Sequence, residues 1–391
     1  MYGIFGKIRR LSSKGMDFGT ERTRRILDGL GGPDKKLKII HIAGSNGKGS
    51  VAEYITRILI EAGNRVGTFT SPFVYNYFEQ FKTDGKPLNK SALKKYFKEA
   101  YGYAKALNAT EFEVETAGAI YAFYGEGCEY AVLECGLGGL NDATNAIAKK
   151  EVAVITTIGL EHTKILGNTL EEICSQKCGI IKNCPAVVSA FQEKEILNYF
   201  KSTPAVIADD GLEISEDGFL YGGEKYETGI AGSVQPYNAS VAIEVAKLLG
   251  IDKSAISSGL KKAKLAGRLE VIEKDKTYIL DGSHNPQSFI PLKNLLCGKY
   301  VKDGVTAIYG CLSDKDYKSC LSVLKSCAGR IITVPTCGAR GFSLEGEAAE
   351  SGAEYCKSVK NALKIANGEV VCVCGSFTIL KEAYKWIKRR R

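Results

Sequence analysis

The chain has 391 residues, of which 45% are hydrophobic and 25% charged, a composition that excludes a disordered chain. A chain of this length can bury a large core, so it needs neither disulfides nor a structural metal to fold. The 53 basic and 44 acidic side chains leave a formal charge of +9, a mild excess that suits small anionic substrates.

The first predicted elements form a βαβ unit. Leu37 to Ala43 is an apolar strand that ends in the glycine-rich turn Gly44 to Gly49. Apolar residues then recur at three-to-four spacing from Val51, which predicts a helix that Gly63 ends. Val66 to Phe69 follows as a second strand. This order predicts a parallel sheet.

The α/β pattern continues through the middle of the chain. Ser71 to Pro87 is a long polar and aromatic segment without a clear period, and loops of that length inside domains tend to be functional. After it we expect two buried strands, at Tyr130 to Glu134 and Val152 to Thr156. A run of short strands and turns follows from about Ala205 to Thr228, and then two helices, at about Gln235 to Leu249 and Ile251 to Ala263.

A second α/β set begins near Arg268. Its predicted strands are Tyr278 to Leu280, Val305 to Tyr309, Ile331 to Val334 and Val370 to Cys374. We place the domain boundary near Leu265 to Gly267, giving domains of residues 1–265 and 266–391. The predicted fold class is α/β, with two doubly wound domains: an N-terminal ATPase sheet of the P-loop type and a smaller C-terminal Rossmann-like sheet. Ligands of such sheets bind at the carboxyl ends of the strands, here in a cleft between the domains.

The turn from Gly44 to Ser50 has the features of a phosphate loop. Its glycines let backbone N–H groups turn toward phosphate oxygens, and the helix that follows adds partial positive charge. Lys48 can reach the β- and γ-phosphates, and Ser50 can contact Mg²⁺ or a phosphate. The loop departs from a Walker A motif, since Ile42 stands at the first glycine position and Gly49 follows the lysine. The alternative is a tight strand–helix turn without a ligand.

Glu134 is a candidate metal ligand because it ends a strand beside this loop and Mg²⁺ prefers hard oxygen donors. The alternative is a solvated strand end. Of the three histidines, His41 lies inside an apolar strand and is predicted to be a core residue. His162 and His284 each follow a strand end, where functional residues concentrate.

Eight motifs occur in order along the chain. They are Gly44-Ser45-Asn46-Gly47-Lys48-Gly49-Ser50, Thr70-Ser71-Pro72, Glu134-Cys135-Gly136-Leu137-Gly138-Gly139, Asp142-Ala143-Thr144-Asn145, Gly159-Leu160-Glu161-His162-Thr163, Lys177-Cys178-Gly179-Ile180, Gly267-Arg268-Leu269-Glu270 and Asp281-Gly282-Ser283-His284-Asn285-Pro286. The set resembles the folylpolyglutamate synthase / dihydrofolate synthase branch of the Mur ligase superfamily, from about Phe18 to the last helix.

The resemblance implies an ATP-dependent ligase that joins L-glutamate to a folate, or to dihydropteroate, through an acyl phosphate. It implies ATP and two Mg²⁺ ions, with Lys177 carried as a carbamate. The implied nucleotide contacts are Gly44, Asn46, Gly47, Lys48, Gly49, Ser50, Asn238, Arg268 and Asp281. The implied metal ligands are Ser71, Glu134 and His162. The implied catalytic residues are Lys48, Lys177 and His284. The implied substrate contacts are Thr110, Glu111, Phe112, Glu113, Asn141, Asp142 and Ala143.

Four positions depart from the family pattern. Phe73, Gln80, Leu140 and Asn141 stand where histidine, arginine, arginine and leucine are usual. These departures affect the folate and pterin contacts more than the ATP chemistry. Two alternatives stay open at this stage: a Mur-type ligase for another acyl acceptor, such as a cell-wall precursor, and a nucleotide-binding scaffold of the same fold. Lys177 has a plain alternative too, as a helix lysine paired with Glu171 or Glu172.

The remaining expectations concern the setting of the protein. Thirteen cysteines without CxxC spacing indicate reduced, mostly buried thiols, and Met1 to Arg10 has no apolar stretch of signal-peptide length. We therefore expect a cytoplasmic protein. The basic run Lys388 to Arg391 is interpreted as a solvated tail. We expect a monomer whose partners are small molecules, without a nucleic-acid or membrane partner.

Overall fold

A computed structural model describes residues 3–11, 17–208, 211–215, 218–338 and 340–389. The chain folds into two units, each built on its own mostly parallel sheet. The first unit comprises residues 1–72, 78–229 and 236–263, and the second comprises residues 73–77, 230–235 and 264–391. The predicted division at residue 266 does not include the two short segments 73–77 and 230–235, which the hydrophobic pattern does not mark.

The sheet of the first unit has eight strands in the order β4-β3-β2-β5-β1-β6-β7-β8. The strands are β1 (Lys38–Ala43), β2 (Val66–Phe69), β3 (Phe81–Thr83), β4 (Lys86–Pro87), β5 (Tyr130–Glu134), β6 (Val152–Ile155), β7 (Ala186–Ser189) and β8 (Val206–Ala208). All pairings are parallel except those of β3 with β2 and β4. The central strand β1 therefore lies between β5 and β6, and the loops after these three strands meet at one edge.

Ten helices and a small antiparallel sheet complete the described part of this region. The helices are α1 (Ile4–Arg9), α2 (Glu21–Gly29), α3 (Lys48–Glu61), α4 (Lys90–Ala106), α5 (Glu111–Gly125), α6 (Thr163–Leu166), α7 (Leu170–Cys178), α8 (Lys194–Lys201), α9 (Gln235–Leu248) and α10 (Lys253–Lys262). The small sheet has the order β11-β10-β9, from β9 (Glu213–Ser215), β10 (Gly218–Tyr221) and β11 (Glu224–Tyr226).

The second unit has a six-stranded sheet in the order β12-β13-β17-β14-β15-β16. Its strands are β12 (Glu270–Glu273), β13 (Thr277–Asp281), β14 (Val305–Tyr309), β15 (Arg330–Thr333), β16 (Glu354–Tyr355) and β17 (Val370–Cys374). Its helices are α11 (Phe289–Lys299), α12 (Tyr317–Cys327), α13 (Glu347–Glu350), α14 (Val359–Ile365) and α15 (Phe377–Arg389). Only β12 pairs antiparallel, and the two apolar clusters of the unit contain alternate residues of the central strands.

The predicted α/β class with two sheet-containing domains is confirmed. His41 is fully buried within β1, as predicted, and eight of the thirteen cysteines are buried. The segment Ser71 to Pro87, predicted as a long loop, instead contains a 3₁₀ helix (Tyr77–Gln80) and the β3–β4 hairpin. No helix in the described ranges has an apolar stretch long enough to cross a bilayer. Of the predicted basic tail, Arg390 and Arg391 lie outside the described residues.

Candidate active site

The candidate phosphate loop connects β1 to α3 at the edge where the central strands end. The N–H groups of Ser45 and Asn46 donate to the carbonyl oxygen of Thr157, at 2.8 and 3.2 Å. The Ser45 hydroxyl bonds both the carbonyl oxygen and the N–H of Gly159, each at 2.9 Å. These bonds fix the first half of the loop against the segment that follows β6, so the loop conformation is preorganised.

The second half of the loop begins helix α3. Gly47 precedes the helix with φ of 91°, a left-handed conformation that favours glycine. A Cβ on Gly47 would lie 2.4 Å from Oδ1 of Asn238, so this predicted nucleotide contact packs directly against the loop. No side chain caps the helix, which leaves the N–H groups of the first turn, including those of Gly49 and the buried Ser50, directed toward the place where a phosphate would bind.

Two lysines converge on one carbonyl oxygen of this loop. Nζ of Lys48 donates to the carbonyl oxygens of Gly44 and Ser45 at 2.8 and 3.1 Å. Nζ of Lys177, from α7, also donates to the Gly44 carbonyl at 2.8 Å. The structure thus brings two of the three predicted catalytic residues to the predicted phosphate site, although 129 positions separate them in the sequence.

Lys177 is buried, with 1% of its side chain exposed, and it pairs with Glu161 at 2.8 Å rather than with Glu171 or Glu172. The alternative of a helix lysine paired with its own helix is therefore wrong. Glu172 instead forms the capping box of α7 with Thr169. Burial lowers the pKa of Lys177 and the nearby Lys48 lowers it further, while Glu161 opposes both effects.

Glu161 lies at the candidate site but is not among the predicted site residues, although it is part of the motif from Gly159 to Thr163. Burial alone would raise the pKa of this carboxyl group, but Lys48 and Lys177 together lower it to about 2. Its only sequence signal was its position beside His162. At neutral pH the site therefore contains an ionised carboxylate between two basic side chains.

Ser71 and Glu134 lie together because β2 and β5 are adjacent parallel strands. The register pairs Phe69 with Leu133, and the N–H of Ser71 donates to Oε2 of the buried Glu134 at 3.2 Å. His162 precedes α6 with φ of 48°. Among the described residues, no three His, Cys, Asp or Glu side chains are grouped closely enough to bind a metal by themselves. The donor set of hydroxyl and carboxylate still suits Mg²⁺, which usually completes its shell with water and substrate phosphates.

The predicted substrate contacts of the first unit lie in two segments, each of which is held by internal hydrogen bonds. Thr110 and Glu113 form the capping box of α5, and both oxygens of the buried Glu113 accept from Nε of Arg22 at 2.9 and 3.0 Å. Glu111 is half-buried, and burial raises its pKa. The ring of Phe112 packs on Gly136, where a Cβ would lie 2.5 Å from the ring.

The second segment is the turn from Asn141 to Ala146. Asp142 is buried, and its carboxylate accepts from the N–H groups of Leu137 and Thr144 at 2.8 and 2.9 Å. Thr144 in turn bonds Nε2 of His41 at 2.7 Å. Ala143 is buried, and the carbonyl oxygen of Asn141 accepts from Gly19 at 3.0 Å. The Asp142 carboxylate therefore holds the turn in shape.

A buried lysine braces the same turn. Nζ of Lys150 donates to Oδ1 of Asn145 at 2.7 Å and to the carbonyl oxygen of Ile180. Nδ2 of Asn145 donates to the carbonyl oxygens of Leu140 and Gly179 at 2.9 and 3.1 Å. The turn is thereby tied to the end of α7, the helix that carries Lys177. Burial lowers the pKa of Lys150 to about 8.

The remaining predicted residues lie in the second unit. The guanidinium of Arg268 lies 5.0 Å from the ring centre of Phe377. The carboxylate of the buried Asp281 accepts from the N–H groups of Leu269 and Ser283 at 2.8 and 2.9 Å, and burial raises its pKa. Nδ1 of His284 lies 2.9 Å from the carbonyl oxygen of Gly282. Asp281 therefore joins the Arg268 segment to the turn that carries His284.

Comparison with known proteins gives consistent matches. The family model of the Mur ligase middle domain matches residues 42–246. A dihydrofolate synthase/folylpolyglutamate synthase of Bacillus subtilis is 32% identical over 349 residues, covering 81% of each chain. The structure of E. coli FolC in complex with DHPP and ADP has a TM-score of 0.90 and 29% identity, covering 100% of this chain and 99% of that one. A bifunctional folylpolyglutamate synthase/dihydrofolate synthase with Mn, AMPPNP and L-glutamate bound has a TM-score of 0.87 and 29% identity, covering 99% and 98%.

Proposed function

We propose the reaction of this chain from one premise: it belongs to the folylpolyglutamate synthase / dihydrofolate synthase family of Mur-type ligases. It is an ATP-dependent ligase that forms an amide bond between a folate and L-glutamate. The observation that carries the assignment of its site is the convergence of Lys48 and Lys177 on the phosphate loop. The proposal extends to the role of each residue and to the range of acyl acceptors.

The chemistry requires that the folate carboxylate be activated, because a carboxylate oxygen is a poor leaving group. Transfer of the γ-phosphoryl group of ATP to this carboxylate gives an acyl phosphate and ADP. The neutral amine of glutamate then attacks the acyl carbon and forms the C–N bond. The bond between the acyl carbon and the phosphate oxygen breaks, its electrons leave with inorganic phosphate, and the nitrogen loses one proton. Lys48 offsets charge on the transferred phosphoryl oxygens, and Arg268 and Asn238 hold the nucleotide.

The metal is proposed to be Mg²⁺, with Ser71, Glu134 and His162 as the residues that would hold it. When bound, a divalent cation neutralises charge on the phosphate oxygens and orients them. The fit rests on the approach of the Ser71 N–H to the Glu134 carboxylate, which fixes one hard oxygen donor beside the phosphate loop. A carbamate on Lys177 would add a second anionic donor next to the loop.

The acyl acceptor is proposed to be a reduced folate, with dihydropteroate as a second acceptor. Thr110 to Glu113 and Asn141 to Ala143 would line its pterin side. Because Glu113 and Asp142 are occupied by internal hydrogen bonds, we propose that these carboxylates shape the pocket while backbone groups and the Phe112 ring contact the ligand. Leu140 has 42% of its surface exposed at this turn, where the family pattern has a cation.

The test is a side-by-side product analysis by mass spectrometry. The purified chain is given ATP, Mg²⁺ and L-glutamate with either tetrahydrofolate or dihydropteroate, and the control lacks ATP. We expect ATP-dependent addition of glutamyl residues to tetrahydrofolate, and addition of one residue to dihydropteroate. Glutamylation of only one acceptor would restrict the proposal to that activity. ADP release without a glutamylated product from either acceptor would point to a different acyl acceptor. If neither ADP nor a glutamylated product were formed, the result would support a nucleotide-binding scaffold.

A metal prediction follows from Glu134. In Glu134→Gln the side chain keeps its shape and can still accept the Ser71 hydrogen bond, but it loses its negative charge. We expect the Mg²⁺ concentration for half-maximal turnover to rise by about tenfold or more, because Mg²⁺ binding depends on anionic oxygen donors. The matched control is Glu129→Gln, just before the start of the same strand. A Glu134→Gln titration that overlays the parent curve would make Glu134 a structural strand end.

A further inference from the structure

The second unit contains a short segment, Phe73 to Tyr77, that enters it from the chain following β2. Val74 packs against the apolar cluster of α14, α15 and the sheet. The ring of Tyr75 stacks on that of Tyr384 in α15, with ring centres 4.0 Å apart and planes at 15°. The segment therefore packs as an integral part of the second unit, and the stacking contact fixes the position of the Tyr75 ring.

The Tyr75 hydroxyl donates to Oε2 of Glu270, the first residue of β12. The same carboxylate oxygen accepts from the N–H of Gly267 at 2.9 Å. A second contact joins these segments, since a Cβ on Gly267 would lie 2.9 Å from Cγ1 of Val74. Glu270 is thus a junction between the Tyr75 segment and the turn before β12.

That turn carries Arg268. Its two neighbours, Gly267 and Leu269, both have left-handed backbone conformations, with φ of 63° and 43°. Such a conformation is costly for leucine and persists only where surrounding contacts impose it. The contacts are the Glu270 bond to Gly267 on one side and the Asp281 bond to Leu269 at 2.8 Å on the other. These two anchors fix the backbone on both sides of Arg268, whose guanidinium lies 5.0 Å from the ring centre of Phe377.

We propose that Tyr75 is a positioning residue for Arg268, acting through Glu270. The hydroxyl of Tyr75 holds the Glu270 carboxylate in the orientation that fixes Gly267. This inference rests on the proposed role of Arg268 as a nucleotide contact.

The experiment is a double-mutant cycle of Tyr75→Phe and Arg268→Ala in the chain of 391 residues. ADP affinity and kcat/KM for ATP are measured for each variant. Tyr75→Phe removes one hydroxyl and keeps the stacked ring. We expect ADP affinity and kcat/KM for ATP to fall by about five- to tenfold, the scale of one ordinary hydrogen bond, because the hydroxyl acts on Arg268 only indirectly. The control Tyr384→Phe keeps the same ring stack and leaves the Tyr75 hydroxyl in place, so it should match the parent. Thermal melting of each variant shows that the fold is retained.

The cycle is closed by Arg268→Ala and by the double variant. If Tyr75 acts through Arg268, Tyr75→Phe has no further effect once Arg268 is absent. Additive losses, or a Tyr75→Phe variant with parental affinity beside a defective Arg268→Ala, would overturn the positioning role and leave the Arg268 assignment intact. Parental behaviour of Arg268→Ala would overturn both.

Discussion

Replacing Lys48 with alanine is expected to reduce turnover by at least ~10²-fold, the scale of losing one charge contact made in the transition state. Nζ of Lys48 lies across the phosphate loop within 2.8 Å of the Gly44 carbonyl oxygen. The ammonium group therefore lies beside the start of α3, where we propose that the phosphate binds. Alanine is a good residue in the first turn of a helix, so α3 should remain intact.

The measurement is ADP release at saturating ATP with a folate and glutamate. Lys98→Ala, an exposed lysine on α4 in the same unit, is the matched control and should behave like the parent. Thermal melting of both variants separates loss of chemistry from loss of fold. Ligation by Lys48→Ala at a rate close to that of the parent would show that the loop from Gly44 to Ser50 does not bind the transferred phosphate.

Replacing Lys177 with alanine is expected to abolish ligation, and acetate or formate is expected to restore part of it. Burial and the neighbouring Lys48 both lower the pKa of Lys177, so a larger fraction of this side chain is in the neutral amine form than for a surface lysine. A neutral amine adds CO₂ to form a carbamate and releases one proton. The carbamate is an anion, which would be stabilised by Lys48 and by a bound cation.

The choice of additive separates this hypothesis from a purely structural role. Lys177 also forms an ion pair with the partly buried Glu161, so its loss removes the hydrogen-bonded partner of this carboxylate. If that pairing were its whole function, methylammonium would restore activity and a carboxylate would not. The exposed Lys182, which lies just beyond α7, provides the control substitution Lys182→Ala. A Lys177→Ala variant as active as the parent without any additive would contradict both roles.

The sequence predicted the central strands well, because a buried parallel strand is a continuous apolar run. The strands β2, β5, β14 and β17 begin and end at the predicted residues. The edge strands were harder to find. β12 has alternate exposed residues, one of them apolar (Val271) and one charged (Glu273), and β3 has three residues and packs antiparallel between β2 and the two-residue edge strand β4. Such short edge strands are specified by their partner more than by their own pattern.

The candidate site divides in the same way. The phosphate loop was predictable because its glycines, lysine and helix start are consecutive in the sequence. The partner of Lys177 was not predictable, since the contact with Glu161 depends on the tertiary packing of α7 beside the loop. The role of Tyr75 was hidden for the same reason: its partner Glu270 is 195 residues away.

The second unit is not a contiguous stretch of sequence, and this limits how the protein can be divided. A gene fragment encoding residues 264–391 would carry all six strands of its sheet but would lack residues 73–77 and 230–235. Without Val74 and Tyr75, the part of the apolar cluster against which Val74 packs and the face of the Tyr384 ring on which Tyr75 stacks would be open to water. We therefore expect that such a fragment is poorly soluble when produced alone, and that exchange of C-terminal halves between relatives requires the Phe73–Tyr77 segment to be exchanged with them.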